Sequence, residues 1–121
     1  MIDHLTLKVS NYQTSKTFYQ KVLAPLGYEI VMEVMGHCGF GIQGKPEFWL
    51  AETKEKILPT HIAFRANNRL LVDAFYKAAI TAGGKDNGKP GIRAHYHPNY
   101  YGAFIFDPDN YNIEAVCHDP Q

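Results

Sequence analysis

At 121 residues, with 45% hydrophobic and 20% charged side chains, the chain has the size and composition of one folded globular domain, which argues against disorder and against membrane spanning. Twelve basic and twelve acidic residues give a formal net charge of zero, with no long run of either sign. A phosphate-backbone footprint or an affinity for an anionic membrane surface is therefore not expected, and neither nucleic acid nor membrane is an expected partner.

In chain order, residues 2–9 place Leu5, Leu7 and Val9 on one face and His4, Thr6 and Lys8 on the other, the alternation of a half-buried strand. Strand-like residues from Ile2 onward leave no room for a signal or transit peptide. The isolated cysteines Cys38 and Cys117 make neither a disulfide framework nor a CxxC metal site, so a cytoplasmic protein with reduced thiols is expected. Ser10-Asn11 can cap a helix in which Tyr12, Ser15, Phe18, Tyr19, Val22 and Leu23 recur near the helical period, and Pro25 with Gly27 ends it. Residues 28–34, 38–42 and 48–51 then read as three short strands of a meander.

The pattern restarts after the polar stretch 52–59. A strand over 60–66 carries His61, Asn67-Asn68 is a capping pair, and 70–82 is a helix with Leu71, Ala74, Phe75, Ala78 and Ala79 on one face and Gly83-Gly84 as its stop. A single offset of 57 residues relates His4 to His61, Phe18-Tyr19 to Phe75-Tyr76, and Gly27 to Gly84. Three matches at one offset indicate an internal repeat, giving unit one over about 1–52 and unit two over about 60–118 of a single domain. Unit two continues with a weakly marked strand near 85–93, then strands over 103–106 and 112–118. Between these last two, Asp107-Pro108-Asp109-Asn110 is a turn whose proline fixes φ and whose side chains bond to nearby backbone. Glu114, flanked by Ile113, Ala115 and Val116, either points to water or is desolvated with a partner, because an unpaired buried charge is costly.

The opening Ile-Asp-His-Leu, the Ser-x-x-Phe-Tyr-x-x-x-Leu of the first helix, the His-Ile-Ala-Phe restart and the closing Asp-Pro-Asp-x-x-x-Ile-Glu together resemble the glyoxalase/bleomycin-resistance/dioxygenase family, or vicinal oxygen chelate superfamily. The resemblance covers nearly the whole chain. It implies an α+β fold of paired βαβββ units whose eight or so strands form a curved, partly closed sheet around a cavity, helices outside, and it implies a homodimer. Carried over residue by residue, His4 and His61 match the first-strand metal ligands of the two units and Glu114 the last-strand carboxylate, both ligand and catalytic group. Two imidazoles and a carboxylate suit a divalent ion such as Zn, Ni, Mn or Fe(II) with open positions for a substrate's paired oxygens. Phe48-Trp49-Leu50 departs from the family's four-ligand pattern, so at most three protein ligands are expected, with Trp49 as a pocket wall.

Set against this, a lone His on the polar face of a strand is more often solvated or hydrogen-bonded than a ligand. Arg93, His95, Tyr96, His97, Tyr100 and Tyr101 are read as a rim that binds a small polar ligand, the plainer reading of 95–101 being a surface loop. Arg65 and Arg93 can each clamp a carboxylate or phosphate, and by alternation His118 shares the face of Glu114. The expected function is a glyoxalase-like, divalent-metal-dependent enzyme of lyase, isomerase or dioxygenase type acting on a small oxygenated substrate. The alternative is a non-catalytic, bleomycin-resistance-like protein that binds a small molecule or drug, which Trp49 and the tyrosine-rich loop favour.

Overall fold

A computed structural model describes residues 1–120. Unit one runs β1 (Leu5–Val9), α1 (Tyr12–Leu23), a 3-10 turn (Ala24–Leu26), β2 (Glu29–Val34), β3 (His37–Ile42) and β4 (Lys45–Glu52). Unit two runs β5 (His61–Arg65), α2 (Arg69–Thr81), β6 (Lys85–Ile92), β7 (Tyr101–Phe106) and β8 (Asn112–Cys117). The strands form two four-stranded sheets, ordered β1-β4-β3-β2 and β5-β8-β7-β6. In each, the first strand pairs parallel with the last and the remaining pairs are antiparallel. The expected α+β architecture of eight incompletely closed strands is therefore present, divided between two sheets that do not close into a barrel.

Local chemistry accounts for the element ends. Asn11 and Asn68 take extended backbone and accept from the N–H groups of Thr14 and Leu71 at 2.9 and 3.0 Å, each satisfying one of the unpaired donors of a helix start. The weakly marked strand is a full one, β6, its alternation blurred by irregular register at Gly88 and Gly91. On α2, Val72 joins Phe75 and Ala79 as fully buried, whereas Leu71 is half-buried. Leu5, on the same face as Leu7 and Val9 by alternation, is 40% exposed although it is already paired with Phe48 at the start of β1.

The helix-facing sides of both sheets share one core. Leu7, Phe40, Phe48 and Leu50 of unit one are continuous with Phe64, Ile105, Ile113 and Ala115 of unit two. Phe64 packs edge-on against Phe48 at 5.2 Å and against Tyr28 at 5.8 Å, so aromatic contacts cross between units. Each sheet has a second face turned away from the helices, and α1 and α2 are the α-helices among the described residues. Among the described residues, no helix is long and apolar enough to cross a membrane.

The Asp-Pro-Asp turn clamps the units together. Asp107 is buried and accepts from the Tyr19 hydroxyl of α1 and from the backbone N–H groups of Asp109 and Tyr111. Desolvation pushes its carboxyl above the usual range, against the opposing pull of those three donors. Asp109 accepts from both the backbone N–H and the hydroxyl of Ser10, and the Tyr111 hydroxyl donates to the Lys8 carbonyl at 2.8 Å.

Tyr19→Phe removes a hydrogen bond to a buried carboxylate while keeping the ring in the core, so it is expected to destabilise the protein by about 1.5–3 kcal/mol. Urea unfolding checks this, with the midpoint lowered and the denaturant slope unchanged. On the alkaline side, burial and the hydrogen bond to Glu47 push the Tyr28 phenol up to about 12. A raised folded value means that this contribution is fully present below pH about 10 and lost as pH rises through about 12. Stability measured over that window should fall less steeply for Tyr28→Phe than for the parent chain.

Candidate functional site

The uncovered face of the second sheet holds an acid that the fold has buried. Along β8, Ile113, Ala115 and Cys117 point into the core, so alternation turns Asn112, Glu114 and Val116 to the other face. Glu114 is nevertheless only 1% exposed, because other side chains close over it. His61, from the start of β5, brings its Nε2 to 3.0 Å from Oε1. Tyr100 donates its hydroxyl to Oε2. Burial and this neighbouring carboxylate hold the Tyr100 phenol well above its ordinary value, so it stays a donor.

The His61 ring is fixed from behind. Its Nδ1 lies 3.1 Å from the Asn112 carbonyl oxygen, which can only accept, so Nδ1 carries a proton. The Nε2 lone pair would then meet a carboxylate oxygen at 3.0 Å, a repulsive contact unless a positive charge lies between them. That charge is either a second proton, making an imidazolium–carboxylate pair, or a metal ion. Donors at the about 2.1 Å bond lengths of a small divalent ion, set near a right angle, are also about 3 Å apart, and a ligating imidazole usually donates its other N–H to such a carbonyl. His61 and Glu114 thus fit two adjacent positions on a divalent ion.

The third expected ligand does not join them. His4 lies just before β1 and its Nδ1 pairs with Asp3 at 2.7 Å, a hydrogen bond that lowers the Asp3 carboxyl. It lines a separate concavity of about 320 Å3 with Thr6, Lys45, Pro46 and Trp49 on the first sheet. Among the described residues, no three His, Cys, Asp or Glu side chains of one chain converge on a common metal position. The expected single cavity is, within one chain, two open concavities, because the sheets do not close on each other.

Register explains what the concavities share and how they differ. Thr6 pairs with Trp49 as Ala63 pairs with Glu114, so the 57-residue repeat puts Trp49 in unit one where Glu114 stands in unit two. Likewise Gly39 opposite Trp49 corresponds to Phe104 opposite Glu114. A Cβ on Gly39 would come within 3.0 Å of the indole, so unit one sets a large ring over a glycine and unit two an acid beside a phenylalanine. Trp49 lines the first concavity beside His4, Thr6, Lys45 and Pro46.

The loop 93–100 closes through the Arg93 N–H to the Tyr100 carbonyl at 2.7 Å. His95 contacts Tyr96 at 4.1 Å, Tyr96 contacts Tyr100 at 5.0 Å, and Tyr100 and His97 lie 5.2 and 5.9 Å from His118, an aromatic rim ending on Glu114. Tyr101 is the exception: it follows the core-facing alternation of β7, donates to Asp73 and lies under Arg69 of α2, so it does not reach this rim. Arg65 lines a different hollow with Asn67, His118 and Asp119. Cys38 and Cys117 are both buried, and burial raises the Cys38 thiol, which makes it a poor nucleophile.

Sequence reasoning missed Asn112, Phe104 and Gly102. The hairpin register counted outward from the turn identifies the first two, since Phe106 pairs with Asn112 and Phe104 with Glu114. The Phe104 ring stacks on His61 at 6.1 Å. A Cβ on Gly102 would stand 3.1 Å from the Tyr100 ring and 3.2 Å from Glu114 Oε2, so this glycine makes room for their bond. No local pattern marks that role.

A sequence model of the Glyoxalase/Bleomycin resistance protein/Dioxygenase superfamily matches residues 1–115. The fold is similar to that of a glyoxalase/bleomycin resistance protein from Albidiferax ferrireducens T118, with a TM-score of 0.85, 24% identity and coverage of 97% of this chain and 98% of that one. It is also similar to a glyoxalase/bleomycin resistance protein/dioxygenase family enzyme from Burkholderia phytofirmans PsJN, with a TM-score of 0.74, 17% identity and coverage of 97% and 98%. A third likeness, to the oxidase ChaP-H2, has a TM-score of 0.72, 17% identity and coverage of 98% and 94%. No curated protein matches the chain. At these identities the structural likenesses speak to fold alone, and with the sequence match they establish that the chain belongs to the Glyoxalase/Bleomycin resistance protein/Dioxygenase superfamily.

Proposed function

We propose that the protein is a divalent-metal-dependent enzyme acting on a small oxygenated substrate, with His61 and Glu114 of one chain and His4 of a second copy as its metal ligands. The observation that supports this is the 3.0 Å approach of His61 Nε2 to Glu114 Oε1 with Nδ1 already committed to the Asn112 carbonyl, a geometry that fits two adjacent ligands of a divalent ion, as it also fits a shared proton. Two of the three ligands come from one chain, and His4 stands just before the equivalent strand of unit one on the face of the first sheet that carries Trp49. A homodimer that brings these faces together completes the set and covers both.

A divalent ion held there supplies Lewis-acid polarisation of a substrate's paired oxygens. The chain's own residues do the rest. Tyr100 occupies Oε2, which leaves Oε1 as the carboxylate oxygen that binds or takes a proton. The Asn112 carbonyl holds His61 in one tautomer, and Phe104 keeps its ring plane in place. Tyr96 and the partner's Trp49 supply aromatic walls that limit water around the bound oxygens.

Elemental analysis of untagged protein purified without chelator should find a divalent metal. Protein that holds none and takes up no Zn, Ni, Mn or Fe(II) would favour a binding protein without catalysis. Glu114→Gln keeps the shape and removes the charge, and metal affinity is expected to fall at least about 10-fold. A mixing experiment tests the shared site. His4→Ala and Glu114→Gln should each be defective alone, but a refolded mixture should recover metal uptake at about a quarter of its sites. Half of its dimers are mixed by chance, and each mixed dimer has one fully intact set. Recovery of none would overturn the shared arrangement.

A further inference from the structure

Next to the His61–Glu114 pair lies a cavity of about 330 Å3 whose lining includes Arg93, Asn87, His95, Phe104 and Asn112. Arg93 is held there by the fold. Its Nη2 donates to the Lys89 carbonyl at 2.7 Å and its guanidinium lies over the Phe104 ring at 5.4 Å. Two glycines flank it: a Cβ on Gly88 would sit 3.1 Å from Nη2 and one on Gly91 3.1 Å from Nη1. Gly88 also takes a φ of +150°, which other residues rarely adopt.

Arg93 is partly exposed, and among the described residues no carboxylate lies within ion-pair distance of it; the ion pairs are Asp3–His4, Lys16–Glu33 and His61–Glu114. Its remaining N–H donors are open to the hollow, where a carboxylate can displace water and form charge-assisted hydrogen bonds. The polar groups around it are also suited to donate. Asn87 Nδ2 donates to Asn112 Oδ1 at 3.1 Å, which leaves the Asn112 amide N–H groups free to face a ligand, and His95 adds a ring N–H. Phe104 and Tyr96 supply flat apolar surface beside these donors.

We infer that this cavity binds the carboxylate of a small organic acid, with Arg93 as the charge partner and the Asn112 amide as a second donor. The inference deepens the reading of a small oxygenated substrate and rests on it for the direction in which the acid points. The carboxylate sits over Arg93, and the adjoining carbon oxygens extend past Phe104 toward His61 and Glu114. The substrate class is then a carboxylic acid oxygenated near its carboxyl group.

Metal-free protein titrated with benzoate, followed by amide resonances, tests this without any dependence on metal. Benzoate should shift the signals of Gly88, His95 and Asn112 saturably, and neutral benzamide should not. Arg93→Gln should weaken benzoate at least about 10-fold, the scale of a lost hydrogen bond to a charged group, and Arg93→Lys should lose less because it keeps the charge. Metal affinity should stay at the parent value in both. Equal benzoate binding by parent and Arg93→Gln, or no binding by the parent, overturns the inference. Phosphate shifting the same signals more tightly than benzoate overturns the carboxylate assignment. If benzoate binds but metal does not, the metal reading fails and this one stands; the reverse result separates them the other way.

Discussion

The molecule depends on a buried carboxylate in a turn. Asp107 takes a hydroxyl from α1 of unit one and two backbone donors from its own hairpin, and Asp109 beside it holds the end of β1 through Ser10. Desolvating a carboxylate is unfavourable, and three donors offset part of that cost while dictating where the second hairpin must lie. Because β7 and β8 leave this turn in strict register, the same clamp that joins the units also sets how far along the strand Glu114 stands. Stability and site geometry thus have one origin, four residues long.

Much of this was legible in the chain. The 57-residue offset, the two Asn caps and the Asp-Pro-Asp-Asn turn are local signals with local causes, and each corresponds to an observed element. The association of His61 with Glu114 came from the family resemblance, which implies ligands from a unit's first and last strands, and the parallel β5–β8 pair brings the two side chains together. What escaped was set by packing across strands. Tyr101 belongs to the core through alternation within β7, which a preceding irregular loop obscures. The separation of His4 from His61 follows from how two sheets are arranged around one core, and no periodicity along the chain encodes it. The Gly102 contact is visible only once Tyr100 and Glu114 are in place.

The two faces show how a repeated scaffold carries unequal chemistry. A single substitution of role, indole for carboxylate at matching positions, comes with a compensating one on the neighbouring strand, glycine for phenylalanine. Volume is roughly conserved across the pair. The polar half concentrates a buried acid, an ordered imidazole and an arginine that has no carboxylate beside it among the described residues; the other half offers a ring and an exposed histidine.

Trp49 is the chain's one tryptophan, whereas tyrosines are spread through both units. Its indole lies flat against Gly39 on the open face of the first sheet, half-covered and beside His4. The protein therefore carries an optical label of its own making, on one half only. Excited at the red edge of the indole band, it emits from that face alone, and the wavelength and quenching of that light follow whatever comes to cover it.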